Sequence, residues 1–155
     1  MMITLCDLLQ VLSTGAIGLL VGALLAEGAL LVPYWRSLPH DTFYTLHKEY
    51  GPRLYRFFAP LTIAPTFLIV VATGVSIWTS DSGQWPTLAA SIFFLSVIAT
   101  YIGYFRQANA RLATASLNAE ELSLELARWA TWHWVRVVLG VCAFGTALFG
   151  VTIHA

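Results

Sequence analysis

Four long apolar windows constrain this chain more than any other feature of its sequence. They cover residues 11–33, 57–79, 85–105 and 129–153, and only Glu27 and Arg136 bring charge into them. A helix needs about 20 apolar residues to cross the roughly 30 Å hydrocarbon core of a membrane. Only 10% of the residues are charged, against about 25% in a soluble domain. We therefore predict an all-α integral membrane protein, a four-helix bundle that forms one domain over the whole chain.

The basic residues predict how this bundle sits in the membrane. All eight Lys and Arg residues lie in the first and third connections or just inside the fourth span: Arg36, Lys48, Arg53, Arg56, Arg106, Arg111, Arg128 and Arg136. Because basic loops stay on the cytoplasmic side, we expect both long connections inside and both termini outside an inner or plasma membrane. The formal net charge of zero and this distribution predict membrane lipid, and no nucleic acid, as a partner.

The first connection carries a second helical pattern. Asp41 can cap a short helix that ends at Gly51-Pro52, and its apolar positions recur at three- and four-residue spacing. These positions are Phe43, Leu46, His47 and Tyr50. We predict an amphipathic helix at the inner membrane interface. A further helix is expected to start at Asn118 in the third connection.

The first span has a stripe of small residues, Gly15, Gly18 and Gly22. Small side chains at this spacing let a second helix approach closely within a membrane. The stripe predicts either a homo-oligomer contact or close packing inside the bundle.

Ionisable residues within a span are costly, so each one marks a candidate site. Glu27 lies about two turns before the inner end of the first span, and Arg136 about two turns into the fourth. We expect them at similar depth. Two interpretations stay open: a structural ion pair between the first and last helices, or part of a functional site.

His133 precedes Arg136 by three residues, so both lie on one helix face. His47 and Asn109 belong to the same membrane side. Histidine and carboxylate side chains suit a transition metal such as iron or copper, with His133, His47 and Glu27 as the predicted ligands. Alternatively, His133 is a general base, with Glu27 as a proton acceptor. In either case Arg136 would stabilise negative charge and Asn109 would orient a substrate.

Four stretches resemble one known family. They read GALLAEGALLVPYWRSLP, GPRLYRFFAPL, ANARL and RWATWHWVR, and together they are similar to the four-helix membrane proteins of the anthrone oxygenase-like family. The resemblance points to Asn109, Trp129, His133 and Arg136 as site residues. It also implies oxygenase chemistry, since characterised members oxidise polyketide anthrones to anthraquinones with molecular oxygen.

The sequence therefore predicts a membrane oxidoreductase or oxygenase. Its substrate would be an apolar, aromatic or lipid-like small molecule that binds at the cytoplasmic mouth of the bundle. Trp129, Trp132 and Trp134 would line this mouth or anchor the helix at the interface. The alternative is a non-enzymatic protein that binds a lipid or protein partner, in which Glu27 and Arg136 only hold the bundle together.

Overall fold

The computed structural model describes residues 4–154, with side chains to residue 153. This part of the chain contains helices and short turns and no strand. The prediction that both termini lie outside the membrane concerns residues 1 and 155, which lie beyond the described residues. The elements are α1 (Leu5–Ala26), a π-helical turn (Glu27–Leu31), α2 (Val32–Ser37), α3 (His40–Trp78), α4 (Gln84–Thr100), a second π-helical turn (Tyr101–Phe105), α5 (Arg106–Ala113) and α6 (Ala119–His154).

Four helical segments are long and apolar enough to cross a membrane, which confirms the predicted fold class. They are Leu5–Ser37, His40–Trp78, Gln84–Ala113 and Ala119–Ile153. Each is longer than the apolar window from which it was predicted, because the helices continue into the polar connections. The side of the membrane that each connection faces stays a prediction.

The sequence predicted that the helix of the first connection ends at Gly51-Pro52. This prediction is wrong. The helix is the first part of α3, which continues through Pro52, Pro60 and Pro65. Each interior proline removes one backbone hydrogen bond; Pro65 is buried in the bundle, whereas Pro52 and Pro60 are exposed. Asp41 does not cap this helix, since Pro39 occupies the N-cap position and makes no side-chain cap.

The helix expected from Asn118 begins as predicted and is continuous with the fourth span. Asn118 Oδ1 accepts a hydrogen bond from the Glu121 amide at 3.0 Å, and Glu121 Oε2 accepts one from the Asn118 amide at 2.9 Å. This reciprocal capping box satisfies two backbone donors at the start of α6. From there α6 runs to His154.

The bundle has two apolar cores with a polar layer between them. The first core joins α1, α3, α4 and α6 around Leu24, Ile69, Phe94 and Val137. The second core surrounds Phe105 and also includes Val32, Phe43, Leu126 and Trp129. Glu27, in the first π-helical turn, and His133 and Arg136, on α6, lie between the two cores. These ionisable residues are therefore in the interior of the bundle.

The glycines of the α1 stripe have different surroundings. A Cβ on Gly18 would lie 2.9 Å from Phe144 Cε2, so this glycine allows α6 to pack closely. A Cβ on Gly15 or Gly22 would meet nothing within 4 Å, and both residues are exposed. Gly18 therefore supports packing within the bundle, and a homo-oligomer through the stripe stays a prediction.

Candidate functional site

Three ionisable side chains from opposite ends of the chain meet between the two cores. Arg136 Nη2 donates to Glu27 Oε2 at 3.2 Å and to His133 Nδ1 at 2.8 Å. The Glu27 and His133 side chains are 3.6 Å apart at their nearest polar atoms. His133 is fully buried, Glu27 is 6% exposed, and the Arg136 side chain is 15% exposed. The predicted Glu27–Arg136 ion pair is therefore present, with His133 as its third member.

The first π-helical turn brings the α1 backbone against the imidazole. A Cβ on Gly28 would lie 2.9 Å from both Cδ2 and Nε2 of His133, and 3.4 Å from Trp134 Cζ2. Only a residue without a side chain permits this approach. Turns of this kind inside α-helices are rare and are frequent at functional sites. Here the turn starts with Glu27 itself.

Both nitrogens of His133 have partners. Nε2 lies 2.8 Å from the Leu24 carbonyl oxygen, which can only accept, so Nε2 carries the hydrogen. Nδ1 accepts from the Arg136 guanidinium, which can only donate. His133 is thus a neutral imidazole with a fixed tautomer. Because its one lone pair faces Arg136, it orients the guanidinium and has no free position for a substrate proton.

Two aromatic rings pack against the Arg136 guanidinium. Its guanidinium carbon lies 4.4 Å from the Phe105 ring centroid and 5.8 Å from that of Trp129. Such contacts are worth about 2 kcal/mol or more when the cation is desolvated. The Trp129 ring also stacks on His133 at 5.1 Å, with 10° between the planes. One N–H of the guanidinium, at Nε, is buried and has no hydrogen-bond acceptor within residues 4–154.

Asn109 contacts this cluster indirectly. Its Oδ1 accepts a hydrogen bond from Trp129 Nε1 at 3.0 Å. Trp129 in turn packs against His133, Phe105 and Trp35. Asn109 therefore fixes the indole that covers His133 and Arg136.

The predicted metal ligands are not assembled. His47 stacks on Phe43 at 5.3 Å, in the first part of α3. No three His, Cys, Asp or Glu side chains within the described residues form a group that could hold a metal ion. Because both His133 nitrogens are already hydrogen-bonded, the side chains present do not fit a metal site built on this histidine.

A second buried ionic network lies on the same side of the bundle, and sequence reasoning missed it. Glu125 Oε2 accepts from Arg111 Nη2 at 2.8 Å, and Glu125 Oε1 accepts from the Tyr104 hydroxyl at 2.8 Å. The Tyr104 ring stacks on Trp132 at 5.6 Å. A signal was present, since Glu125 precedes Trp129 by four residues and shares its helix face.

A cleft of about 540 Å³ opens beside the cluster, between the first π-helical turn, α2 and the start of α6. Gly28, Ala130 and Trp134 form the end nearest His133, and Arg36 and His40 lie among the residues that line the rest. Neither Glu27 nor Arg136 lines it. Gly28 lines the cleft and also faces the His133 ring, so its main chain lies between the two.

Fold and site together define a protein with four helices that are long and apolar enough to cross a membrane and a buried carboxylate–imidazole–guanidinium cluster. A family model described as anthrone oxygenase matches residues 52–146, more than half of the 155-residue chain. The chain therefore belongs to the anthrone oxygenase family, which confirms the resemblance seen in its sequence. No curated protein and no solved structure matches it. The matched region contains His133 and Arg136, whereas Glu27 and Gly28 precede it.

Proposed function

We propose that this protein is an oxygenase that uses Glu27 and Arg136 to activate an apolar, enolisable aromatic compound. The observation that carries the proposal is a pair of unused hydrogen-bonding positions inside the bundle. Glu27 Oε2 is bonded to Arg136, while Oε1 has no donor within residues 4–154. Arg136 Nε is a buried donor without an acceptor. A carbonyl compound with an acidic C–H bond would engage both.

Proton transfer is the first step of this chemistry. Glu27 Oε1 takes a proton from the carbon that is conjugated with the carbonyl group, and the electron pair moves onto the carbonyl oxygen. The Nε–H of Arg136 donates to this oxygen as its negative charge develops. Preorganised donors of this kind are worth most in a site without water, and a positioned base contributes roughly 10²–10⁴-fold.

The electron-rich enolate then supplies the electrons for the reaction with molecular oxygen. Its carbon forms a C–O bond, and the distal oxygen takes the proton held by Glu27, which gives a hydroperoxide. Removal of the second hydrogen of that carbon as a proton breaks the O–O bond and releases water. A CH₂ group becomes C=O, and one O₂ yields one carbonyl oxygen and one water molecule.

His133, Trp129 and Asn109 are positioning residues in this proposal. The imidazole is held by the Leu24 carbonyl and in turn directs Arg136 Nη2. Trp129 covers both side chains and is held by Asn109. This assignment differs from a base role for His133, because its lone pair is already used.

Oxygen uptake with anthrone as the probe tests the proposal. Purified protein in detergent is compared with Glu27→Gln and with Glu49→Gln, an exposed glutamate whose contact is an i,i+4 pair with Arg53. After subtraction of autoxidation, we expect Glu27→Gln to lose at least about 100-fold in rate and Glu49→Gln to match wild type. Wild-type turnover by Glu27→Gln would refute the base assignment.

The ion pair also supports the alternative of a scaffold that binds a lipid or protein partner. A scaffold role predicts that Glu27→Gln and Arg136→Gln each destabilise the bundle by about 3–5 kcal/mol, since each leaves a buried partner unpaired. The double variant should recover part of this loss. Full recovery of stability together with unchanged oxygen uptake in the double variant would favour the scaffold.

A further inference from the structure

The cleft beside the first π-helical turn is a candidate ligand site because of its size and its lining residues. Its volume of about 540 Å³ lies within the roughly 300–1,000 Å³ typical of small-molecule pockets. The α6 wall of the cleft is apolar and includes Leu122, Leu126, Ala130 and the Trp134 indole. Such a wall suits a flat hydrocarbon body that packs against an indole ring.

The other end of the cleft is cationic. Arg36 and His40 are the only ionisable side chains among the described residues that line it. His40 Nδ1 lies 2.8 Å from Asp41 Oδ1 and Nε2 lies 2.9 Å from the Leu117 carbonyl oxygen. Two acceptors require two N–H donors, so this ring is an imidazolium, and Asp41 balances its charge. Arg36 is exposed and forms no ion pair or hydrogen bond with the described residues, so its guanidinium is available to a ligand.

We propose that this cleft binds an aromatic carboxylic acid, with the carboxylate at Arg36 and the ring system along Trp134 and Ala130 toward Gly28. Arg suits this role because its planar guanidinium pairs with a carboxylate through two parallel hydrogen bonds. Only the Gly28 main chain then separates the far end of the ligand from the His133 ring. Because neither Glu27 nor Arg136 lines the cleft, binding of the acid there is independent of the proposed function.

Binding of 2-naphthoate and of its neutral isostere 2-naphthamide tests the charge requirement. Both are titrated into the full-length protein in nanodiscs of phosphatidylcholine, with empty nanodiscs as the reference for partitioning into lipid. Ligand-observed saturation-transfer NMR reports binding without turnover. We expect naphthoate to bind at least about tenfold more tightly than naphthamide. Equal affinity would overturn the proposal.

Two pairs of variants locate the site. Arg36→Gln should abolish the preference for naphthoate, while Arg56→Gln, an exposed arginine outside the cleft, should keep it. Ser123→Trp fills the cleft from an exposed position and should remove binding of both probes. Leu124→Trp, at the next residue and 63% exposed, lies outside the lining and should bind normally. A loss in Arg56→Gln equal to that in Arg36→Gln, or retained binding in Ser123→Trp, would refute the assignment.

An acidic lipid head group has the same chemistry as the proposed ligand, so the lipid composition is varied. Replacement of some phosphatidylcholine by phosphatidylglycerol should leave the affinity for naphthoate within about twofold. If phosphatidylglycerol displaces naphthoate and the displacement depends on Arg36, the cleft binds lipid and the small-acid proposal is overturned. Binding is also measured on Glu27→Gln. Retained binding together with unchanged oxygen uptake in Glu27→Gln would refute the proposed function alone, whereas absent binding by wild type together with lost uptake in Glu27→Gln would refute the cleft alone.

Discussion

Gly28→Ala is the substitution that tests most directly how the π-helical turn holds the buried cluster. The added Cβ would lie 2.9 Å from Cδ2 and Nε2 of His133. The imidazole cannot move aside easily, because it is fully buried and bonded at both nitrogens. Trp129, stacked on the ring at 5.1 Å, blocks one face. Relief of the contact therefore requires the α1 backbone to shift or the bond to Leu24 to break.

The cost of this change follows from two contributions. Overpacking of a filled interior costs about 1–3 kcal/mol, and a buried donor left without its acceptor costs about 1–3 kcal/mol. Replacement of a helical glycine by alanine returns about 0.5–1 kcal/mol. We expect Gly28→Ala to lower the free energy of unfolding by roughly 2–4 kcal/mol.

Unfolding by sodium dodecyl sulfate in mixed micelles, followed by tryptophan fluorescence, measures this difference. Gly22→Ala is the matched control, because it lies on the same helix and its Cβ would meet nothing within 4 Å. We expect its stability to stay within about 1 kcal/mol of wild type. Equal stability of Gly28→Ala and Gly22→Ala would refute the argument that this glycine is required by contact with His133.

Three further predictions concern other parts of the bundle. Tyr104→Phe removes one hydrogen bond to the buried Glu125 carboxylate and should destabilise the protein by about 1.5–3 kcal/mol, measured by the same unfolding titration. Asn109→Ala should lower stability by about 1–3 kcal/mol, since it leaves the Trp129 N–H without an acceptor. In a Trp129→Phe background Asn109→Ala should have no effect, because the N–H is already absent. Full additivity of the two substitutions would contradict this coupling. Ser116→Cys, in a chain whose native cysteines are replaced by serine, should react with an impermeant maleimide in inverted vesicles and not in intact cells, as the positive-inside rule predicts. Labelling in intact cells would reverse the assigned orientation.

The ion pair and the helix content could be predicted because both follow from local patterns. Apolar windows of sufficient length identify membrane-crossing helices. The depths of Glu27 and Arg136 follow from counting turns inward from the helix ends, and the 3.2 Å contact agrees with this count. The three-residue spacing of His133 and Arg136 placed them on one face, where they are hydrogen-bonded.

The π-helical turn and the long α3 could not be predicted in the same way. Residues 27–31 read EGALL, a sequence that an ordinary α-helix accepts. The π-helical turn places Gly28 against His133, which lies more than 100 residues away in the chain. Local helix propensity cannot predict a contact between such distant residues. Pro52 is a strong local signal for a helix end. The helix α3 nevertheless continues through Pro52, where Tyr50, Tyr55 and Phe57 are exposed, so burial of the neighbouring side chains does not explain the continuation.

The tautomer of His133 was equally out of reach, and it changes the assignment of roles. A histidine beside an arginine and a glutamate suggests a base or a metal ligand. The structure places the Leu24 carbonyl at Nε2, a backbone contact that side-chain spacing does not encode. Once both ring nitrogens are engaged, Glu27 Oε1 is the acceptor that stays open.

The pairing of Glu27 with Arg136 also has an electrical consequence. Carrying one elementary charge through 100 mV takes about 2.3 kcal/mol, so a lone ion at this depth would feel the voltage across the membrane. Here an anion and a cation lie 3.2 Å apart, beside an uncharged imidazole, and the work done by the field on one nearly cancels that on the other. The cluster is electroneutral, so a change in membrane voltage exerts almost no net force on the bundle at this depth.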